Sequence, residues 1–281
     1  MAQQERFLLA GVMGWPVMHS RSPMLHGYWL RKHGLAGAYV PLEIRIDRLA
    51  AALRALPALG FSGCNLTIPH KVEALKIVDT LDPFARRVGA ANCIVVGADG
   101  SLGGFNYDGW GFVENVVERV PGWRADAGPV VVVGAGGGAR AIVASLLDRG
   151  AREIRLVNRS PDRATALAAD LGGAIAAVGW DDRARALDGA AMVVNTTSLG
   201  MVGQPALDLP LDALPKSALV SDIVYTPLET PLLSAARKRG NPAVDGLGML
   251  LHQARPAFKA WFGILPEVTA ELRQSIEATL K

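Results

Sequence analysis

Four consecutive valines followed by a glycine-rich turn constrain this chain more than any other feature. Val130 to Val133 form an uninterrupted β-branched run, the pattern of a strand buried on both faces of a parallel sheet. Gly134, Gly136 and Ala139 then fit the spacing G-x-G-x-x-[G/A], and a helical pattern begins at once. Such glycines permit a tight turn and a close approach of the backbone to a pyrophosphate. The segment predicts a dinucleotide site, and the alternative is a plain glycine-rich connector.

The end of the next strand indicates which dinucleotide is bound. NAD-binding chains of this type place Asp or Glu there for the ribose 2′-hydroxyl, whereas this chain has Asn158 and Arg159. Ser160 is a predicted N-cap, which puts Arg163 in the first helical turn, where it can share a 2′-phosphate with Arg159. We interpret Asp162 as a first-turn carboxylate favoured by the helix dipole. NADP is therefore predicted; the alternative is that both arginines belong to an ordinary solvated face.

The order of the remaining patterns predicts an α/β fold. Short apolar runs alternate with longer helical patterns, which is typical of βαβ units and parallel sheets. A strand at "GCNLTI", a helix at "HKVEALKIVD" and a hairpin at "ANCIVVGADGSLGGFN" are predicted in the first part. The polar link "PGWRADAGP" indicates a domain boundary. Near the end, a helix is predicted to begin at Pro266 with Glu267 in its first turn.

Composition excludes several classes of function. The chain has 281 residues, 50% of them hydrophobic, and a formal net charge of +3 with scattered basic residues, so nucleic-acid binding is not favoured. Its two cysteines and five histidines show no metal-ligand spacing, and a disulfide is not expected. No apolar run reaches the roughly 18 residues that a membrane span needs. A soluble, cytoplasmic protein without metal or membrane partner is expected.

Two polar stretches in the first part are candidates for a substrate site. In "GCNLTIPHK", Lys71 follows a predicted strand; lysine in such a place is usually a solvated surface charge. In "HSRSP", Ser22 before Pro23 predicts a helix start, and Ser20 adds a second hydroxyl suited to a carboxylate. Taken alone, that second stretch is more simply a capped helix.

Taken together, the motifs are similar to those of the shikimate dehydrogenase family. "HSRSP", "NLTIPHK", "GAANCIV", "GFNYDGWGF", "GAGGGARA", "NRS", "NTTSLGM", "DIVYTPLETPLL" and "GLGMLLHQA" occur in that family's order, from about Gly11 to Ala254. The resemblance implies a substrate domain at 1–108 plus 245–281, through a returning C-terminal helical segment, and a Rossmann-like NADP domain at 109–244. It also implies reversible reduction of 3-dehydroshikimate to shikimate with NADPH, a step of chorismate and aromatic amino acid biosynthesis.

The resemblance also implies a role for particular residues. Lys71 and Asp108 would be the catalytic pair. The substrate would be bound by the hydroxyl, amide and carboxylate groups of Ser20, Ser22, Thr67, Asn92, Asp108, Tyr225 and Gln253. NADP would be bound by Gly134, Gly136, Gly137, Gly138, Ala139, Asn158, Arg159, Arg163, Thr196, Ser198, Ile223, Gly246 and Met249.

The chemistry of the implied reaction accounts for an amine at Lys71. Hydride transfer to a ketone leaves oxyanion character that must collect a proton, so a cationic acid is needed within hydrogen-bond reach. Lys71 either donates that proton or stabilises the charge while water delivers it. His70 has a suitable pKa range for an acid, but we interpret it as a structural residue.

Two departures from the family pattern make the substrate the least determined feature. Cys93 and Tyr107 stand where the family commonly has threonine. Quinate or an altered relative of shikimate therefore remains an alternative substrate. A non-catalytic ligand sensor would not need both Lys71 and Asp108, and another NADP enzyme such as a folate dehydrogenase would not explain "HSRSP" with "GLGMLLHQA". The oligomeric state is left open, with a homodimer among the options.

Overall fold

The computed structural model describes residues 7–280, which form two compact units. One unit extends to Tyr107 and includes Gln253–Thr279, and the other contains Asp108–His252. The second boundary lies inside helix α8 (Leu247–Phe262) rather than at residue 245. The reason is that the first part of α8 belongs with helix α4 (Asp108–Arg119): Nε2 of His252 lies 2.5 Å from Oε2 of Glu118.

The first unit contains a mixed six-stranded sheet in the order β2-β1-β3-β5-β6-β4. Strand β1 is parallel to β2 and β3, whereas β5 is antiparallel to both β3 and β6. The predicted hairpin is therefore confirmed as β5 and β6. The strands are β1 Leu8–Gly14, β2 Gly37–Glu43, β3 Phe61–Leu66, β4 Thr80–Leu81, β5 Cys93–Val96 and β6 Leu102–Phe105.

The helices of this unit differ from the sequence prediction in two places. The helix predicted at residues 70–79 is wrong: only a 3₁₀ turn, Glu73–Lys76, forms there. The carbonyl of Lys71 accepts a hydrogen bond from the amide of Ala91 at 2.8 Å, so it is not available to a continuous helix. The α-helices lying wholly in this unit are α1 Ser22–Lys32, α2 Leu49–Ala55, α3 Pro83–Val88 and α9 Ala270–Glu277.

The last helix begins at Ala270, later than the predicted start at Pro266. The carbonyl oxygens of Pro266 and Glu267 accept hydrogen bonds from Nε of Arg255 (2.7 Å) and Nε1 of Trp29 (3.2 Å). These contacts hold the segment in a non-helical path. Thr269 then caps the helix by accepting from the amide of Leu272 at 3.3 Å.

The second unit has a fully parallel six-stranded sheet in the order β12-β11-β10-β7-β8-β9. The valine run is β7, and its residues alternate between two hydrophobic clusters, as a strand covered on both faces requires. The strands are β7 Val130–Val133, β8 Ile154–Asn158, β9 Ile175–Gly179, β10 Met192–Asn195, β11 Leu219–Asp222 and β12 Ala243–Val244. Besides α4 and the start of α8, the helices are α5 Gly137–Asp148, α6 Pro161–Leu171 and α7 Pro231–Arg239.

The strand order reverses between β7 and β10. The chain runs outward from β7 through β8 to β9, and then returns to the other side of β7 at β10. Open α/β sheets bind ligands outside the carboxyl ends of the strands at such a reversal. Among residues 7–280, no helix has both the length and the apolar character to cross a membrane.

A buried histidine lies within the aromatic core of the first unit. The His26 ring is fully buried and stacks on Tyr39 with ring centres 4.0 Å apart. The ring centres of Phe258 and Trp261 lie 5.9 and 5.6 Å from the centre of the His26 ring. Burial lowers the pKa of His26 from 6.5 to about 3, because the surroundings disfavour the charged form.

We expect His26 to destabilise the fold in acid. Between pH 6.5 and 3 the unfolded chain binds a proton at this residue that the folded chain does not, so stability falls as the pH falls. The slope is about 1.4 kcal/mol per pH unit. Urea unfolding of His26→Phe at pH 4.5 and pH 7 should show a smaller loss of stability in acid than the parent. His19→Gln, at an exposed histidine, is the matched control; equal losses in parent and His26→Phe would contradict the assignment.

Candidate functional site

The topology of the first unit brings several of the predicted substrate residues to one edge of its sheet; Asp108 and Tyr225 belong to the second unit. Strands β1 and β3 are parallel, so the loops carrying Ser20 and Thr67 leave the sheet at the same edge. Strand β5 is antiparallel to β3, and therefore Asn92, just before β5, lies at that edge too. The amide of Leu66 donates to the carbonyl of Asn92 at 2.8 Å, which joins the two segments directly.

Lys71 lies in the turn after β3 at this edge. Its side chain is partly buried rather than fully solvated. The turn is held on both sides: the amide of Thr67 donates to the carbonyl of Met13 at 2.9 Å, and the Lys71 carbonyl accepts from Ala91. Non-local hydrogen bonds therefore position the amine at the strand ends.

His70 anchors the same turn and is fully buried. Its Nε2 lies 2.8 Å from the carbonyl oxygen of Ile44, to which it donates. Burial lowers the pKa of His70, which favours the neutral ring. These contacts support the interpretation of His70 as a structural residue.

A chain of buried side-chain hydrogen bonds supports the polar atoms at the edge. Tyr39 donates its hydroxyl proton to Oδ1 of Asn65 at 2.7 Å, and Nδ2 of Asn65 donates to the carbonyl of Asn92 at 3.0 Å. Nδ2 of Asn92 then donates to Oε1 of Gln253 at 3.2 Å. Two predicted substrate residues, Asn92 and Gln253, are thus in direct contact, and Asn65, itself held by Tyr39, fixes the backbone of Asn92 from behind.

The helix start predicted at Ser22 is confirmed. Helix α1 begins at Ser22, with Arg21 as the residue before it. Ser22 is therefore the first helical residue and is 5% exposed, while Oγ of Ser20 accepts from the Ser22 amide at 3.3 Å. The two hydroxyls lie together at the N-terminus of α1, where a carboxylate is favoured by the helix dipole.

Tyr107 follows the end of β6 and contacts the same cluster. Strand β6 ends at Phe105, and the Tyr107 ring stacks on Phe105 with ring centres 6.0 Å apart. The Tyr107 amide donates to Oδ1 of Asn92 at 2.9 Å. Burial raises the pKa of the Tyr107 phenol, so the hydroxyl keeps its proton. Asp108, the next residue, begins α4 and is 5% exposed.

In the second unit, the glycine-rich turn lies at the reversal between β7 and β10. Gly134 has φ +111°, and a side chain there would meet the hydroxyl of Thr196 at 2.6 Å, so only glycine fits. Gly136 is the N-cap residue of α5 and has open space around it, which leaves bare backbone at a helix N-terminus. Ala139 is fully buried under the helix, and Gly137 and Gly138 form its first turn. This arrangement fits a pyrophosphate.

The residues predicted to bind the adenosine end lie at the end of β8. Nδ2 of Asn158 donates to the carbonyl of Ser160 at 2.9 Å, which fixes the turn into α6. Helix α6 begins at Pro161 after Ser160, as predicted, although the Ser160 side chain makes no capping hydrogen bond. Arg159 and Arg163 are both exposed, so their guanidinium groups are accessible to a phosphate.

The other predicted cofactor residues follow the ends of β10, β11 and β12. Thr196 donates its hydroxyl proton to the carbonyl of Val133 at 2.7 Å, whereas Ser198 is exposed. Ile223 lies against the glycine turn, 3.4 Å from a side chain built at Gly138, and a side chain at Gly246 would meet the Ile223 carbonyl at 2.2 Å. Met249 is 8% exposed and packs in the core of this unit. Tyr225, a predicted substrate residue, is partly exposed in the loop after β11.

Sequence reasoning missed several polar residues behind these sites. Tyr39 and Asn65 support the substrate edge, and a second group at residues 195, 222 and 230 supports the loops after β10 and β11. Their signal is a polar residue inside or ending an apolar strand, as in "GCNLTI" and "LVSD". Within residues 7–280, no group of three or more acidic, histidine or cysteine side chains is arranged to hold a metal ion.

Family models match both units of the chain. The model of the shikimate dehydrogenase substrate binding domain matches residues 12–94. The model described as shikimate / quinate 5-dehydrogenase matches residues 118–202. The two matches together cover more than half of the chain.

Relatives and solved structures give the same result. "Shikimate dehydrogenase (NADP(+))" from Paramagnetospirillum magneticum is 57% identical over 94% of this chain and 96% of its own, and that from Rhodospirillum rubrum is 58% identical over 95% and 96%. A Thermus thermophilus shikimate 5-dehydrogenase structure with NADP(H) and shikimate has a TM-score of 0.84 at 35% identity, covering 98% of each chain. A Corynebacterium glutamicum quinate dehydrogenase structure with NAD has a TM-score of 0.89 at 32% identity, covering 97% and 99%. This chain belongs to the shikimate dehydrogenase family.

Proposed function

We propose that this chain is an NADP-dependent oxidoreductase that reversibly reduces 3-dehydroshikimate to shikimate. The observation that carries the proposal is the gathering of Lys71 with the hydroxyl and amide groups of Ser22, Thr67 and Asn92 at one sheet edge. An amine together with several neutral hydrogen-bonding groups suits a polyhydroxylated carboxylic acid. Two relatives that are more than 50% identical to this chain are both named shikimate dehydrogenase (NADP(+)), which supports the proposal.

The protein side of the reaction depends on Lys71. Its ammonium group donates a proton to the oxygen that becomes the hydroxyl as the ketone is reduced, and stabilises charge on that oxygen. Asp108 is its carboxylate partner and accepts a hydrogen bond from a ring hydroxyl. Ser20 and Ser22 hold the substrate carboxylate at the start of α1. When bound, NADPH supplies the hydride.

NADP is the proposed cofactor, and the second unit has the groups to bind it. The open backbone at Gly136 and the start of α5 fit the pyrophosphate. Arg159 and Arg163 are exposed beside the end of β8, where a 2′-phosphate would lie. Arginine suits this role because its planar guanidinium group binds phosphate through two hydrogen bonds.

A quinate dehydrogenase is the second candidate. The observation that favours it is the TM-score of 0.89 with the quinate dehydrogenase structure. Tyr107 and Cys93, where the family commonly has threonine, lie beside Asn92 and so affect which ring substituents fit. The Cys93 side chain is fully buried, so it would affect substrate choice only through the packing behind the sheet edge and not through direct contact with the substrate.

An initial-rate panel tests the proposed function. Purified protein is assayed with shikimate and with quinate, each against NADP and NAD. We expect shikimate with NADP to have the highest kcat/KM. Quinate as the better substrate would establish the second candidate, and absence of turnover with all four pairs would overturn both. Sedimentation of the same protein would show whether it is a monomer or a homodimer.

We propose a cytoplasmic location from the state of the cysteines. Cys64 and Cys93 are both buried free thiols. Burial raises the pKa of each thiol, which keeps it protonated and unreactive. Free thiols without disulfides are typical of reducing compartments. Fractionation of cells that express the natural protein would test the location.

Replacing Tyr107 should change substrate constants selectively. We expect Tyr107→Thr to raise kcat/KM for shikimate, because threonine restores a small hydroxyl beside Asn92 and removes a ring from the edge. A mispaired polar contact costs about 1 to 3 kcal/mol, which corresponds to roughly 5- to 150-fold in specificity. KM for NADP should not change. Phe105→Leu, which alters the ring stack and keeps Tyr107, is the control; unchanged shikimate and quinate constants in Tyr107→Thr would make the ring purely structural.

A further inference from the structure

Three buried polar side chains meet at the carboxyl ends of two neighbouring strands in the second unit. Asn195 and Asp222 are the last residues of β10 and β11 and lie opposite each other in the parallel register. Thr230 precedes α7. All three side chains are at most 1% exposed. None of them belongs to the predicted substrate or cofactor set.

The Asp222 carboxylate receives hydrogen bonds from three directions. Its Oδ1 accepts from Nδ2 of Asn195 and from the amide of Val224, each at 3.0 Å. Its Oδ2 accepts from the hydroxyl of Thr230 at 2.8 Å. The loop after β11, which carries Tyr225, is therefore tied to the carboxylate near its beginning and at its end.

Asn195 organises the loop after β10 in the same way. Its Oδ1 accepts from the amide and the hydroxyl of Thr197, at 3.0 and 2.7 Å. Its Nδ2 donates to the carbonyl of Leu199 at 3.0 Å as well as to Asp222. Both hydrogens of the Asn195 side-chain amide thus form hydrogen bonds, and the Asn195 side chain fixes the conformation of the loop that carries Thr196 and Ser198.

Further contacts join these loops to each other and to the glycine turn. The amide of Val202 donates to the carbonyl of Thr226 at 2.9 Å, and that of Ile223 donates to the carbonyl of Asn195 at 3.1 Å. Thr196 donates through both its amide and its hydroxyl to the carbonyl of Val133, directly before Gly134. The Asp222 carboxylate is the buried link at the centre of this connected set.

We propose that Asp222 is a positioning residue, whose carboxylate locks the loops after β10 and β11 into one arrangement. The lock presents Thr196, Ser198 and Ile223 toward the cofactor and Tyr225 toward the substrate together. The inference rests on the proposed function, because it concerns the binding of those two molecules. It adds a residue that contacts neither of them.

The chemistry of Asp222 fits such a lock better than a packing role. Three donors converge on its two oxygens, whereas an asparagine would offer one acceptor oxygen and an NH₂ group that opposes one donor. All three donors are neutral, and burial raises the pKa of Asp222 to about 6. A buried carboxylate without a cation among its donors is unfavourable for stability, so its presence indicates a functional requirement.

Asp222→Asn, which keeps the shape of the side chain, is the first test. We expect KM for NADP and KM for shikimate to rise together and kcat/KM to fall by about 10- to 100-fold, the usual effect of misplaced binding groups. The thermal midpoint should stay near that of the parent. Asn241→Ala is the matched control, because Asn241 is also a buried polar residue, 4% exposed, and donates to the carbonyls of residues 215, 216 and 218 before the start of β11. It should lower the thermal midpoint and leave the constants of the folded protein unchanged.

A second pair of variants keeps the test decisive if Asp222→Asn does not fold. Thr230→Val removes one donor to the carboxylate, and Thr230→Ser retains it. We expect KM for NADP and KM for shikimate to be higher in Thr230→Val than in the parent, and to be the same as the parent's in Thr230→Ser. Unchanged constants in folded Asp222→Asn, or equal constants in Thr230→Val and Thr230→Ser, would overturn the proposal. NADP affinity measured by calorimetry separates this failure from failure of the proposed function, since it needs no turnover.

Discussion

Replacing Lys71 with alanine should lower kcat for shikimate oxidation by about 10² to 10⁴, the usual contribution of a general acid or base. The reason is that its amine is the proposed proton donor and acceptor at the reacting oxygen. The dissociation constant for NADP should change little, because Lys71 belongs to the unit that does not contain the parallel dinucleotide-binding sheet. Stopped-flow or steady-state rates together with calorimetric NADP binding measure both quantities.

Lys76→Ala is the matched control for this experiment. Lys76 lies five residues along the same segment, where its ammonium group forms an exposed ion pair with Glu73 at 2.8 Å. Exposed pairs of this kind contribute about 1 kcal/mol or less to stability, so rates should be unaffected. If Lys71→Ala keeps most of its turnover, Lys71 is excluded as the acid. A normal shikimate KM with a low kcat would instead confirm loss of the chemical step.

The parts of the fold that could be predicted are those in which neighbouring residues determine the structure. The valine run and the turn at Gly134 form a strand and a tight turn through local sterics and burial, and both appear as predicted. The hairpin of β5 and β6 was likewise predictable from its turn. The prediction of a helix at residues 70–79 was wrong because hydrogen bonds to distant residues determine the path of this segment. His70 bonds to the carbonyl of Ile44, and the Lys71 carbonyl accepts from the amide of Ala91.

The same distinction separates the site residues. The resemblance supplied Lys71, Asn92 and Gln253, and the strand directions explain why Lys71 and Asn92 lie at one edge. The residues that orient them could not be predicted, because their contacts join distant parts of the chain. Tyr39 and Asn65 are 26 residues apart, and Asn195 and Asp222 are 27 apart. A single polar residue in an apolar strand shows that a partner exists, but only the register identifies it.

Cofactor choice should depend on Arg159 and Arg163. The double variant Arg159→Ser with Arg163→Ser should raise KM for NADP far more than KM for NAD. Both guanidinium groups are exposed at the end of β8, where no acidic residue occupies the position that would bind a ribose 2′-hydroxyl. A hydrogen bond to a charged group is worth about 1.5 to 3 kcal/mol, which is roughly tenfold to a hundredfold in KM for each arginine lost.

A control variant and a salt titration test whether the change in KM for NADP arises from the 2′-phosphate. Arg152→Ser removes an exposed arginine that precedes β8, at the opposite end of that strand, and should leave the ratio of the two KM values unchanged. Raising the ionic strength should increase KM for NADP in the parent, because salt screens exposed charges, and should have less effect in the double variant. Equal changes for NADP and NAD would show that the arginines do not distinguish the two cofactors. In that case Asp162, in the first turn of α6, becomes the residue to replace, since a carboxylate there would favour the 2′-hydroxyl of NAD.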